Sequence, residues 1–136
     1  MVTVLVTERE AAGVFGCPVR GTRLDLLGRL VIWRPAAASR PSMQVMVQGG
    51  ALGARIARHA ARHGTPLPGA DGWLLSSRSA VLHAGTLTVR VTLTDLAPAA
   101  AEAALALLVP RVAQRLRAAA GPVEPPRPAA GFPTGA

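Results

Sequence analysis

Residues 85–119 read GTLTVRVTLTDLAPAAAEAALALLVPRVAQRLRAA, and their pattern indicates the fold class. In its first part the apolar residues recur at every second position, at Leu87, Val89, Val91 and Leu93. That alternation predicts a β-strand with one buried and one solvated face. In its second part apolar residues recur at helical spacing, at Leu105, Val109, Val112 and Leu116. A strand that leads into an amphipathic helix is typical of an α+β domain.

A second strand and helix precede this stretch. Residues 43–48 (MQVMVQ) predict a short strand, and Gly49 and Gly50 break it. Residues 51–62 predict a helix with a narrow apolar stripe formed by Leu52, Ile56 and Ala60. The predicted fold is therefore α+β, with a small, mostly antiparallel sheet and two main helices packed on one face. Residues 84–85 predict the hairpin turn into the 86–93 strand.

Pro110 is an anomaly inside the last predicted helix. An interior proline removes one backbone hydrogen bond and clashes with the preceding turn. We therefore expect either a kink just before Pro110 or two separate helices.

The chain is predicted to have three segments. Residues 1–42 form a strand-rich N-terminal segment, with strands expected at 2–7 and 24–33. Residues 43–120 form the α+β core, in which residues 73–82 predict one bulged strand. Residues 121–136, rich in Pro, Ala and Gly, have little to bury and predict a disordered tail.

Composition makes this a basic, arginine-rich chain. Its 136 residues carry a formal net charge of +8, and all 15 basic residues are Arg. Part of this excess reflects the Arg, Ala, Gly and Pro bias of GC-rich coding, so the charge alone does not establish a ligand. The single cysteine, Cys17, excludes an intramolecular disulfide. The residues after Met1 lack the pattern of a signal peptide, and no apolar run approaches a membrane span, so we expect a cytoplasmic protein.

The best candidate for a binding site is the basic face of the 51–62 helix. Arg55, Arg58 and Arg62 stand three and four positions apart and therefore share one face. Gly49 and Gly50 precede this helix, where backbone N–H groups can meet an anion. This combination is a candidate contact for phosphates or for an acidic partner, and a merely solvated helix face is the alternative.

Enzymatic chemistry is not indicated by the remaining polar residues. His59 and His63 have a spacing that can chelate a metal, but no third ligand accompanies them. Paired carboxylates and a nucleophile with a positioned base are also missing. The sequence therefore predicts a non-enzymatic protein with no cofactor and no metal site.

The order of elements across residues 43–119 resembles the alkaline-shock or general-stress cell-envelope protein family. The resemblance lies in the strand MQVMV at 43–47, the helix LGARIARHAA at 52–61, the hairpin strand GTLTVRV at 85–91 and the long helix after it. It implies a non-enzymatic cytoplasmic protein, linked to cell-envelope stress, that acts at the membrane face through partners or anchors. The acidic residue at the start of the family's first helix is missing here.

Two function classes stay open at this point. The first is a small interaction or scaffold protein whose partner is an acidic protein or an anionic membrane surface, with peripheral membrane association. The second is a nucleic-acid-binding protein that uses the helix face of Arg55, Arg58 and Arg62. A homo-oligomer is a further expectation, because an open sheet has edges that proteins cover or pair.

Overall fold

The fold is described from a computed structural model, which describes residues 4–25 and 28–120. These residues form three helices and seven strands. In chain order the elements are α1 (Glu8–Phe15), β1 (Val19–Asp25), β2 (Arg29–Pro35), β3 (Ser42–Gly49), α2 (Gly50–His63), β4 (Thr65–Pro66), β5 (Gly72–Ser76), β6 (Ser79–Ala84), β7 (Leu87–Thr94) and α3 (Pro98–Ala120).

All seven strands join one antiparallel sheet. Their spatial order is β1-β2-β3-β7-β6-β5-β4. At its centre β3 pairs with β7 over eight residue pairs, from Ser42 opposite Thr94 to Gly49 opposite Leu87. The hairpin turn predicted at residues 84–85 is confirmed, since Ala84 pairs with Leu87 and Gly85 adopts a φ of 59°. The antiparallel sheet and the α+β class are therefore confirmed.

The two main helices lie on opposite faces of this sheet, and in this respect the prediction was wrong. Val89, Val91 and Leu93 pack in the core with α3. The intervening Thr88 points the other way, and its hydroxyl donates a hydrogen bond to the carbonyl of Gly53 in α2. Because successive side chains of a strand alternate between faces, α2 and α3 must sandwich the sheet. The buried run from Ser79 to Leu82 in β6 reflects this covering from both sides.

The main core lies between the sheet and the helices α1 and α3. Its largest fully buried side chains on that side are aliphatic or thioether, as the scarcity of aromatic residues requires. They are Met43, Leu82, Leu93, Leu108, Leu116, Val89, Val91 and Val112.

Helix α3 runs unbroken through Pro110, from Pro98 to Ala120. The alternative of two separate helices is therefore wrong. Pro110 and Ala106, one turn before it, are both exposed. The carbonyl of Ala106, which receives no hydrogen bond from Pro110, is therefore on the solvent side of the helix, where water can satisfy it.

The N-terminal segment differs from its prediction. Residues 4–7, the described part of the predicted first strand, form no strand, and helix α1 follows at Glu8. Thr7 and Glu10 form a capping box, in which each side chain accepts a hydrogen bond from the other's backbone N–H, at 3.1 and 2.9 Å. This Thr-x-x-Glu signature is typical of a helix start. The β-branched residues before it favoured the prediction of a strand instead.

Two predicted single strands are hairpins instead. The 24–33 strand is the end of β1 and the start of β2, which pair from Val19 opposite Pro35 to Asp25 opposite Arg29. The bulged strand at 73–82 is the hairpin of β5 and β6, with a register shift between Leu74 and Ser76. In the second hairpin the short polar stretch at residues 77–78 is a tight turn, which hydropathy alone does not distinguish from a bulge.

The predicted segment boundaries stay predictions. The sheet continues across the boundary at residue 42, because β2 pairs with β3 from Arg29 opposite Val47 to Trp33 opposite Met43. The predicted disordered tail, residues 121–136, lies outside the described residues.

An ion cluster connects the N-terminal segment to α3. Glu10 is almost fully buried, and Arg115 binds its carboxylate through both terminal nitrogens, with Nη2 at 2.9 Å from Oε2. Arg111 adds a contact of 3.2 Å, and Arg115 also donates to the carbonyl of Leu5. Hydrogen bonds from Arg115 are the largest cause that lowers the pKa of Glu10, with smaller contributions from Thr7 and Arg111, and they outweigh desolvation. The resulting pKa is about 2, against a usual value of 4.5.

Candidate interaction surface

Helix α2 is held close to the sheet by small residues and by one buried hydroxyl. Gly53, Ala57 and Ala60 form its buried stripe. Thr88 Oγ1 lies 2.8 Å from the carbonyl oxygen of Gly53 and 2.9 Å from Nδ1 of His83. The buried hydroxyl therefore ties α2 to both β7 and β6.

Replacing Thr88 by Val is expected to lower the free energy of unfolding by about 1 kcal/mol, because the Gly53 carbonyl loses its side-chain donor in a buried place. Chemical denaturation measures the change. Thr92→Val, on the same side of β7 and only half-buried, is the matched control and should change stability by less than about 0.5 kcal/mol. Equal effects of the two substitutions would show that the Thr88 hydrogen bond contributes nothing specific.

The predicted site residues of α2 lie on its outer face. Arg55, Arg58 and Arg62 are all exposed, and they are opposite the buried stripe in the helical period. No acidic residue occurs in α2. This helix face therefore presents a positively charged stripe to the solvent.

The two predicted glycines lie at the N-terminal end of α2, far from the C-terminal end of the arginine stripe. Gly49 is the N-cap, without a side-chain hydrogen bond, and Gly50 begins the helix with a φ of 61°. At about 1.5 Å per residue, Arg62 stands roughly 18 Å further along the axis. One small anion cannot reach both, so the five predicted residues do not form a compact anion pocket.

Three strand arginines extend the positive charge on this side of the sheet. Arg90 follows Thr88 by two residues and so points to the same face as α2. Arg90 is opposite Met46, which is opposite Leu30, so these side chains share that face. Arg34 stands four positions after Leu30 in β2 and is paired with Arg20 of β1, so Arg20 and Arg34 face the same way. We call this side of the sheet, together with α2, the α2 face.

Charge is distributed unequally between the two sides of the sheet. Neither α2 nor the α2-facing positions of the described strands include an Asp or Glu. The ion pairs of the described residues join Asp25 or Glu10 to arginines of the opposite side, namely Arg23, Arg29, Arg111 and Arg115. The six arginines of the α2 face thus have no acidic partner in residues 4–25 and 28–120.

Helix α2 covers only about half of the α2 face. Helix α2 packs on β5, β6, β7 and the end of β3, and it has few contacts with β1 or β2. The uncovered half, which we call the open shelf, has an apolar middle and a basic border. Its members are Leu24, Leu30, Ile32 and Met46, the polar Thr22 and Gln44 among them, and Arg20, Arg34 and Arg90 at the border. Ile32 is buried, and the others are half-buried or exposed.

The side of α2 that borders the open shelf is apolar as well. One flank of the helix faces β5, where Ala54, Ala61 and Trp73 line a shallow cavity. Leu52 and Ile56 fall on the other flank by the helical period, and both are half-buried. They form an apolar wall beside the shelf.

The histidines do not assemble a metal site with other ligands. The rings of His59 and His63 lie 4.6 Å apart, centroid to centroid, on the exposed part of α2. His83 is engaged by Thr88. Among the described residues no group of three or more His, Cys, Asp or Glu side chains could hold a metal ion.

Comparison with protein-family models, with curated proteins and with solved structures finds no match for this chain. The resemblance to the alkaline-shock family therefore stays a prediction. None of the helices in the described residues is both long enough and apolar enough to cross a membrane.

The arginines of α2 were predicted from the sequence as site residues, whereas those of the strands were not. The position of Arg90 could be predicted, since it stands on the polar side of the alternating 86–93 strand. The positions of Arg20 and Arg34 could not be predicted, because β1 was not predicted and the register that aligns them with Arg90 spans three strand pairs.

Proposed function

We propose that this protein is a non-enzymatic interaction module that binds an acidic, partly apolar segment of a partner protein on the open shelf. One observation carries the proposal. The α2 face holds six arginines without an acidic partner among the described residues, and three of them border a sheet surface that no described helix covers.

Charge supports an acidic partner. Like charges collected on one side repel each other, and a ligand of opposite charge relieves this repulsion. Arg20, Arg34 and Arg90 stand at the border of the shelf, where guanidinium groups can bind carboxylates bidentately. The stripe of Arg55, Arg58 and Arg62 adds a longer-range field that speeds the encounter.

The apolar middle of the shelf supports a protein partner. Leu24 is 42% exposed, and Leu30 and Met46 are half-buried. A contiguous apolar surface with a charged rim is typical of a protein-binding site. Amphipathic segments with alternating acidic and apolar residues would place carboxylates at the rim and aliphatic groups at the centre.

The aromatic residues argue against single-stranded nucleic acid as the main ligand. Sequence-tolerant binding of single strands uses aromatic side chains on which the bases stack. Here Trp33 faces the opposite side of the sheet, and Trp73 lies beneath α2. The described part of the shelf offers aliphatic and amide groups in place of a stacking platform.

A binding experiment with defined probes tests the proposal. A fluorescein-labelled peptide of alternating Glu and Leu is titrated with the full chain at physiological salt, beside polyglutamate, a short DNA duplex and phosphatidylserine vesicles. The alternating peptide should bind at least tenfold more tightly than polyglutamate. Stronger binding of the DNA or of the vesicles than of the peptide would reject the proposal in favour of that ligand.

Charge reversals on the two sides of the sheet give a matched comparison. Arg34→Glu with Arg90→Glu should weaken peptide binding at least tenfold, which corresponds to about 1.4 kcal/mol. Arg9→Glu with Arg117→Glu changes the net charge equally on exposed positions of α1 and α3, and should weaken it less than about threefold, through screened long-range effects only. Equal losses in both double variants would mean that net charge, and not the shelf, determines binding.

The predicted site on α2 is tested in the same assay. Arg55→Gln, Arg58→Gln and Arg62→Gln together should slow association, with a smaller effect on dissociation than the shelf reversals have. A link to cell-envelope stress and a homo-oligomer stay expectations. Sedimentation of the unliganded protein tests the second.

A further inference from the structure

The two edges of the sheet differ in length and in composition. Strand β4 forms one edge with only two residues, of which Pro66 cannot donate a backbone hydrogen bond. Strand β1 forms the other edge with seven residues, contains no proline, and pairs with β2 in an uninterrupted register. Residues 20–25 are all exposed, so no described element covers this edge. Long open edges in proteins are normally covered, kinked or paired.

One hydrogen bond establishes which backbone groups of β1 point outward. The N–H of Ala36 donates to the carbonyl of Pro18 at 2.9 Å, and these two residues continue the register of β1 with β2. In an antiparallel pair, residues that exchange hydrogen bonds alternate with residues that do not. The odd-numbered residues of β1 therefore direct their N–H and C=O groups away from β2. They are Val19, Gly21, Arg23 and Asp25.

The sequence of β1 can pair antiparallel with a second copy of itself. With a twofold axis at Thr22, each outward-pointing residue of one copy is opposite an outward-pointing residue of the other. All seven residues then take part, and about eight hydrogen bonds form between the copies. The opposed residues are Val19 and Asp25, Arg20 and Leu24, Gly21 and Arg23, and Thr22 with itself.

Charge and side-chain type favour this register over its neighbours. No two like charges are directly opposite in it, and Arg23 is neutralised within its own copy by Asp25, at 3.3 Å. Two threonines opposite each other form a favourable cross-strand pair. An axis at Arg23 would place two arginines directly opposite each other, and an axis at Gly21 would leave Leu24 and Asp25 unpaired.

We propose that β1 is a dimerisation edge, at which a second copy of this chain pairs antiparallel about a twofold axis at Thr22. The two seven-stranded sheets then form one continuous sheet. Leu24, which is 42% exposed in the single chain, lies beside the aliphatic stem of Arg20 of the second copy. The open shelves of the two copies adjoin across the axis. The pairing itself uses the backbone of β1 and does not depend on the proposed function.

Sedimentation of two variants at one position tests the pairing. The full chain at about 1–300 µM and physiological salt should show a reversible monomer–dimer equilibrium, with a Kd of about 10–100 µM for so small an interface. Arg23→Pro removes an outward N–H and leaves the ladder with β2 intact, so it should weaken dimerisation at least tenfold. Arg23→Ala removes the same charge, keeps the N–H, and should weaken dimerisation less than threefold.

Charges introduced at Thr22 test the register without a proline, and they serve also where Arg23→Pro does not fold by circular dichroism. Thr22 is exposed and lies opposite itself at the axis. Thr22→Lys and Thr22→Glu each place two like charges together, so each variant alone should dimerise at least threefold more weakly. An equimolar mixture of the two places opposite charges there, and its affinity should return to within twofold of the unsubstituted protein.

Three outcomes overturn the proposal: a monomer at every concentration, equal dimerisation of Arg23→Pro and Arg23→Ala, or no recovery in the mixture of the Thr22 variants. Binding of the alternating Glu/Leu peptide is measured on the same samples. Peptide binding by a purely monomeric protein would reject the dimer and leave the proposed function intact. If Arg23→Pro, and not Arg23→Ala, abolishes peptide binding in a monomeric protein, the edge binds a strand of the partner instead of a second copy.

Discussion

Replacing Glu10 by Gln is expected to lower the free energy of unfolding by about 3 kcal/mol and the Tm by about 10 °C at neutral pH. Each unit of pKa shift is worth about 1.4 kcal/mol, so the shift of Glu10 from 4.5 to about 2 corresponds to about 3 kcal/mol. The amide keeps the size of the side chain and removes the charge that Arg115 and Arg111 bind. Thermal and urea denaturation measure the loss.

The same carboxylate makes stability depend on pH in the acid range. Because the folded pKa of Glu10 is depressed, the unfolded state binds its proton first as the pH falls. The contribution is fully present above pH of about 5, and it is lost as the pH falls from about 4.5 to about 2. In Glu10→Gln this contribution is absent, so the corresponding fall in the free energy of unfolding between pH of about 4.5 and about 2 should disappear.

Glu8 provides the control for both measurements. It stands in the same first turn of α1, is exposed, and forms no ion pair within the described residues. Glu8→Gln should cost less than about 0.5 kcal/mol, through the helix dipole alone. Similar losses of unfolding free energy in the two variants would contradict the assignment of Glu10 as the connection between the N-terminal segment and α3. An unchanged pH dependence of stability in the acid range in Glu10→Gln would contradict it as well.

Replacing Gly53 by Ala is expected to destabilise the protein by about 2 kcal/mol, although alanine is the better helix former. A Cβ atom at Gly53 would lie 2.6 Å from the carbonyl oxygen of Gln48 and 3.3 Å from Oγ1 of Thr88. The first contact is with backbone, which cannot rotate away. Helix α2 must then move off the sheet, and the hydrogen bond from Thr88 lengthens.

Gly13→Ala is the opposite case in α1. A Cβ atom there would meet no heavy atom within 4 Å. Helix propensity then acts alone and should stabilise the protein by about 0.5–1 kcal/mol. Denaturation curves of the two variants should therefore shift in opposite directions. A stabilising effect of Gly53→Ala would show that α2 is not packed closely on β3 and β7.

Local pattern was sufficient for the elements with an unambiguous period. The alternation of residues 87–93 predicted β7, and the spacing of Leu105, Val109, Val112 and Leu116 predicted α3. The break at Gly49 and Gly50 separated β3 from α2 as predicted. These signals are short-range, since each arises from neighbours within about one turn or one strand.

Other features depend on partners distant in sequence. Arg115 meets Glu10 across 105 residues, and no local pattern announces that contact. The same holds for Arg20, Arg34 and Arg90, which share a face only because three antiparallel registers align them.

That residues 85–119 form a strand and then a helix follows from their residue pattern, since hydrophobic period is a local property. The α+β class and the basic character of the chain follow from pattern and composition as well. The face of the sheet that each helix covers follows from contacts between distant residues. That choice depends on Gly53, which lets α2 approach, and on Thr88, whose buried hydroxyl requires the Gly53 carbonyl as its partner. With α2 on one side and α3 on the other, one half of the α2 face stays uncovered, and it is bordered by three of the six arginines that have no acidic partner among the described residues.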